Sequence, residues 1–114
     1  MDSQAAVIRV TTLVMRPGQR TGLLEAAAEN ATAARRAPGC LSAEVCEQRG
    51  EEGRFLVVSR WSSRKALDKF LEWHKSVAHA SLADFTLGKP TSLHHEVVAG
   101  GERARTGGLN ARPA

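Results

Sequence analysis

The stretch from Pro38 to Ser63 constrains this chain more than any other part of it. Pro38-Gly39-Cys40-Leu41-Ser42 opens one extended run, and Arg49-Gly50-Glu51-Glu52-Gly53 is a polar hairpin. Arg54-Phe55-Leu56-Val57-Val58-Ser59-Arg60-Trp61-Ser62-Ser63 is a second extended run that closes on a tryptophan. Proline and glycine halt a helix, and short glycine-containing polar loops join antiparallel strands. The spacing therefore predicts strand two over 40–48 and strand three over 55–61.

The flanks supply the other elements. Val7 to Met15 is rich in β-branched residues and predicts strand one, which Pro17-Gly18 ends. Leu23, Leu24, Ala27, Ala28, Ala31 and Ala34 recur at helical spacing, so 19–37 is an amphipathic helix. Ser62 or Ser63 can cap a second helix that begins near Arg64 and carries Ala66, Leu67, Phe70 and Leu71 on one face. Its pattern continues, either unbroken or with a break near Trp73–Lys75, through Val77, Ala78, Leu82 and Phe85 to Gly88-Lys89-Pro90, and Ser92 to Val98 predicts strand four. The order β-α-β-β-α-β is that of a ferredoxin-like α+β domain, an antiparallel sheet with its helices on one face. Strands one and three carry few charges, which calls for cover on the second face too and so for a homodimer. The domain is expected over 1–98, with 99–114 a flexible tail of low hydrophobicity.

Charge and cysteine usage exclude several classes. The formal charge is +4, but Arg103, Arg105 and Arg112 against Glu102 place half of that excess in the tail. Clustered bases with interleaved aromatics, the mark of nucleic-acid binding, are missing. No apolar run approaches the ~20 residues that span a bilayer, and Met1-Asp2-Ser3-Gln4 does not open a secretion signal, so a cytoplasmic protein is expected. Cys40 and Cys46 fall in strand two at the same parity, about 20 Å apart on an extended strand, beyond disulfide reach. They read as free, mostly buried thiols.

Candidate chemistry rests on a few side chains. Trp61 either plugs the junction of strand three and the second helix or presents its indole N–H to a cavity there. His74 and His79 lie ~140° apart around a helix, so they cannot form an i,i+4 metal pair. His94 and His95 are adjacent on a strand and point to opposite faces, so no metal site is expected. His79, among Val77, Ala78, Ala80 and Ser81, is a packed histidine, a general base or an axial ligand.

"PGC" at the start of strand two, "RFLVVSRWSS" through strand three and the helix that follows resemble the antibiotic biosynthesis monooxygenase (ABM) family of small dimeric α+β barrels. The resemblance spans about residues 7–98 and implies a cavity between helices and sheet bordered by Trp61. One branch of that family oxidises quinols, anthrones and related polyphenols with molecular oxygen and no cofactor, which requires a dry pocket, a base and an oxyanion donor. The resemblance then implies His79 or His74 as base, Trp61 and Thr11 or Thr12 as donors, and Arg9 or Arg60 as an anion partner if either points inward. Phe70, Leu67 and Phe85 would wall a polycyclic aromatic or quinol-type substrate, with a place in secondary metabolism. The haem-degrading branch implies His79 as haem ligand, eighteen residues after Trp61. Two departures weigh against cleavage of haem. Phe70 stands where that branch has a second tryptophan, and Thr11 or Thr12 where it has an asparagine. The chain has no tyrosine to serve as a phenolic acid, which keeps a non-catalytic small-molecule-binding or accessory barrel as a further alternative.

Overall fold

Alternation of β-branched residues builds the first strand, β1 (Val7–Val14), and the alanine-rich run builds the first helix, α1 (Arg20–Arg35). The hairpin follows as β2 (Cys40–Glu47) and β3 (Arg54–Trp61), then the second helix α2 (Arg64–Ser76) and the last strand β4 (Thr91–Glu96). These elements come from a computed structural model, which describes residues 5–77 and 81–100. The strands form one antiparallel sheet in the order β2-β3-β1-β4 with both helices on one face, a ferredoxin-like α+β fold. No helix among the described residues is long and apolar enough to cross a membrane.

Two apolar clusters pin the helices to the sheet. Val7, Ala31, Ala34, Ala43, Trp61, Leu67 and Phe70 form one, and Leu13, Leu23, Ala27 and Phe55 form the other. The alanines of α1 bring its backbone close to the sheet. Gly22 extends that closeness, since a Cβ there would lie 2.6 Å from Phe85 Cε1. At the far end Gly39 has φ +88°, and a Cβ there would lie 2.5 Å from that of Ala66. The Pro38-Gly39 turn therefore seats the hairpin against α2, and Ser62 N–H donates to Gly39 O at 2.8 Å.

The second helix stops earlier than its pattern suggests. Ser63 Oγ accepts from Ala66 N–H at 3.1 Å and caps its start. At its end Ser76 Oγ donates to Trp73 O, and Val77 is already extended. The break falls just past Trp73–Lys75, and a single 3₁₀ turn, Leu82–Phe85, stands where the helical pattern resumes. The chain must turn back there because Thr86 bridges Met15 and Leu87 N–H reaches Val14 O at 2.8 Å. His79 and most of the predicted tail lie outside the described residues.

The cysteines also differ from expectation. A bulge between Cys40 and Ser42 shifts the register, so Cys40 pairs with Trp61 on the helix-facing side and Cys46 with Leu56 on the other. Both are free, Cys40 half-buried and Cys46 exposed, so equal parity in the sequence becomes opposite faces in the sheet.

Candidate functional site

Register alone assembles a polar cluster on the helix-facing side of the sheet, buried at Thr11 and Ser59 and exposed along β4. Side chains alternate along a strand, so Val7, Arg9, Thr11 and Leu13 of β1 all face the helices. Val7 and Leu13 are sealed into the apolar clusters at either end. Between them, Arg9 lies opposite Ser59 on one side and His94 on the other, and Thr11 lies opposite Val57 and Ser92. The helices add residues one turn apart, Asn30 and Ala34 from α1 and Phe70 and His74 from α2. Leu82 and Pro90 close the end, around a cavity of about 210 Å³.

The polar side chains are bonded to one another. Arg9 Nε donates to His94 Nε2 at 3.2 Å and its Nη1 donates to Thr11 Oγ1 at 3.2 Å. Thr11 Oγ1 and Ser92 Oγ share a hydrogen at 2.8 Å. A histidine that accepts at Nε2 is neutral and carries its proton on Nδ1. Burial, then the charges of Arg9 and His95, push His94 below its ordinary pKa, while Asp68 pulls the other way. Burial likewise pushes the Arg9 guanidinium down. The apolar wall is Phe70, on which the His74 ring stacks at a centroid distance of 5.1 Å.

Of the residues the sequence pointed to, the cavity brings together Arg9, Thr11, Phe70 and His74. Thr12 and Arg60 lie on the opposite face of the sheet, at even positions paired with Leu56 and Ile8. Leu67 is fully buried in the core behind Phe70. Phe85 packs beside Gly22 and the Leu13–Leu23 cluster. Trp61 has no exposed surface, lies tilted against Phe70 with ring centroids 5.2 Å apart, and gives its indole N–H to Ser59 Oγ at 2.9 Å. That N–H is thus spent inside the protein. A hydroxyl that accepts one bond keeps its own proton to donate, so the donor facing the cavity is Ser59.

Ser59, Ser92, Asn30 and His94 were not picked out by the sequence. Their signal is positional: Ser59 shares the parity of Trp61, and His94 that of Ser92. A larger cleft of about 470 Å³ opens on the far side of Phe70, between Ala37 and Trp73. Its lining adds Arg36 and Lys69 to apolar side chains, whereas the smaller cavity combines apolar walls with polar groups hydrogen-bonded to one another, the usual character of a ligand site. Among the described residues no three His, Cys, Asp or Glu side chains gather to hold a metal ion. The haem reading turns on His79, which lies outside the described residues. A dry cavity of ~150 Å³ takes a benzene, so 210 Å³ is room for one or two rings.

Fold and cavity together define a small α+β domain with an aromatic-walled, arginine-bearing pocket between sheet and helices. The family model described as "Antibiotic biosynthesis monooxygenase" matches residues 6–83, well over half of the chain, and the chain belongs to that family. Solved structures agree on the fold. Rv0793 from Mycobacterium tuberculosis superposes with a TM-score of 0.66 at 19% identity, over 84% of this chain and 98% of that one. A candidate antibiotic biosynthesis monooxygenase from Caulobacter crescentus gives 0.65 at 20% identity, over 84% and 92%. A conserved protein from Methanosarcina mazei gives 0.69 at 11% identity, over 83% and 95%. No curated protein matches the chain.

Proposed function

We propose that this chain is a cofactor-independent monooxygenase that oxidises a small aromatic quinol with molecular oxygen, and that it works as a homodimer. The observation that carries this reading is the polar cluster between helices and sheet, a histidine, three hydroxyls and a guanidinium around one aromatic-walled cavity. His74 is the base in this reading and removes a phenolic proton. Arg9, Thr11 and Ser59 stabilise the resulting oxyanion.

The electron-rich anion passes one electron to O₂, and the substrate radical and superoxide combine to a peroxide at ring carbon. Protonation gives a hydroperoxide. Loss of the hydrogen on that carbon with cleavage of the O–O bond then leaves a carbonyl and releases water. One oxygen atom enters the product and the other leaves as water, so the substrate supplies all the electrons.

The dimer rests on the outer face of the sheet. Ile8, Val10, Val14, Leu56, Val58 and Leu93 share that face, opposite the helices. Leu93 is 64% exposed in the single chain, and such a contiguous apolar sheet face marks an interaction surface.

The test is oxygen uptake with 1,4-dihydroxynaphthalene, corrected for the protein-free rate. Acceleration by the protein that His74→Gln lowers by about 10²-fold or more, the usual worth of a general base, supports the reading. A rate equal to that of buffer overturns it and leaves a binding protein.

A further inference from the structure

The cations of this chain divide by their partners. Arg20 pairs with Glu47, Arg54 with Glu51, Arg64 with Glu96 and Lys75 with Glu72, all on the surface. Arg9 is the arginine on the covered face, and its partners are the neutral His94 and Thr11. Among the described residues it has no carboxylate partner, and none of the described residues lining its cavity is acidic. Arg9 is half-buried, and a partly desolvated cation without a counter-charge gains from an anion that supplies one.

The remaining hydrogen-bonding capacity shows what would fit. With Nε on His94 and one Nη1 hydrogen on Thr11, the guanidinium retains the Nη1–Nη2 edge, the fork that takes a carboxylate through two parallel bonds. Thr11, itself tied to Ser92, fixes the plane of that fork. The rest of the lining offers the stacked Phe70 and His74 rings and the apolar Ala34, Val57, Leu82 and Pro90. The volume, 210 Å³ beside ~150 Å³ for benzene, sets one or two rings.

We infer that the ligand of this pocket is a one- or two-ring aromatic hydroxy acid, its carboxylate seated on Arg9 and its ring against Phe70. The inference rests on the proposed site for where the ligand lies, and not on the oxygen chemistry proposed there. It adds a permanent anion to the substrate, so Arg9 selects substrate before it stabilises any charge formed during reaction.

The experiment is isothermal titration of the full chain, under nitrogen, with 1-hydroxy-2-naphthoate and with its methyl ester. The acid is expected to bind at least tenfold tighter than the ester. Arg9→Gln is expected to remove that preference while leaving ester binding in place. Arg60→Gln, on the opposite face of the sheet, is expected to keep it. Equal affinities, tighter binding of the ester, or no binding of the acid at millimolar concentration would overturn the inference. So would an acid preference that survives in Arg9→Gln. If Arg9→Gln proves unfolded by circular dichroism, the wild-type comparison of acid with ester still decides. Acid preference without oxygen uptake would retain this inference and remove the monooxygenase reading. Uptake with a neutral quinol and no acid preference would do the reverse.

Discussion

The two faces of the sheet differ in where their polar side chains sit. The face under the helices is sealed by Leu13, Phe55 and Trp61, yet its centre is polar, with Thr11 and Ser59 buried and Arg9 half-buried beside them. The face away from the helices carries Ile8, Val10, Val14, Leu56, Val58 and Leu93, with no element of the described residues laid over it. A chain optimised only to fold alone would exchange the two sets, because buried polar groups cost and exposed apolar ones gain nothing. The polar centre is therefore the place to look for a ligand, and the apolar back the place to look for a second copy.

The covered face should break first and furthest. Trp61 contacts both the sheet and α2, so Trp61→Ala is expected to cost about 3–5 kcal/mol, measured by urea unfolding. Trp61→Phe separates packing from bonding. It keeps most of the apolar volume and removes the N–H that Ser59 accepts. If the site works as drawn, ligand affinity falls more than stability in that variant.

Leu93→Asp probes the other face. The residue is 64% exposed in one chain, so the folded chain alone should change by no more than about 0.5 kcal/mol. If a second sheet covers it, dimer dissociation should rise at least 100-fold, about 2.7 kcal/mol, visible as halved mass in sedimentation equilibrium. An unchanged mass would mean that the apolar back is not the interface, and the contrast between the faces would need another cause.

Those same faces explain how far the sequence could be read. The element order was legible because proline, glycine and serine punctuate it and the helical period is strong in α1 and in the first turns of α2. Facing was harder. On β1 both Val10 and Leu13 are apolar, so alternation marks two apolar faces without saying which one the helices cover. Thr11 could not be told from Thr12, nor Arg9 from Arg60, until pairing set Arg9 beside Ser59 and Arg60 beside Ile8. The cysteines were misread because a bulge is a register event that spacing does not reveal. Ser59 went unnoticed because its role comes from the hydrogen bond with Trp61, two residues along the same strand.

A smaller effect is expected where α2 begins. This helix brings Phe70 and His74 to the polar centre, and its start depends on Ser63. Ser63→Ala should cost about 1 kcal/mol in urea unfolding and leave the dimer mass unchanged. A loss of dimer in that variant would tie the two faces together more closely than the sheet's packing suggests.

The smallest expected effect lies where α1 closes the other end of the covered face. Gln19 provides no side-chain cap there, and the start of the helix is held instead by Arg20, whose guanidinium sits 5.3 Å from the Phe55 ring centroid. Arg20 grips Glu47 of β2 with bonds of 3.0 and 2.8 Å, and Gly53 N–H donates to the same carboxylate at 3.0 Å. The Arg20 bonds first, then the Gly53 N–H, lower the Glu47 carboxyl from 4.5 to about 2. A carboxyl whose folded pKa lies below its unfolded value stabilises the fold while it is ionised in both states, and less as the unfolded chain gains the proton first. The clamp's contribution is therefore full above about pH 4.5 and lost as pH falls through about 2. Glu47→Gln should melt below wild type at pH 7, and the gap should close across that window, since every other carboxyl titrates in both proteins. The pair is exposed, so the gap should be small and should shrink in high salt. A gap that is constant with pH would show that Glu47 acts through packing near Phe55 and not through its charge.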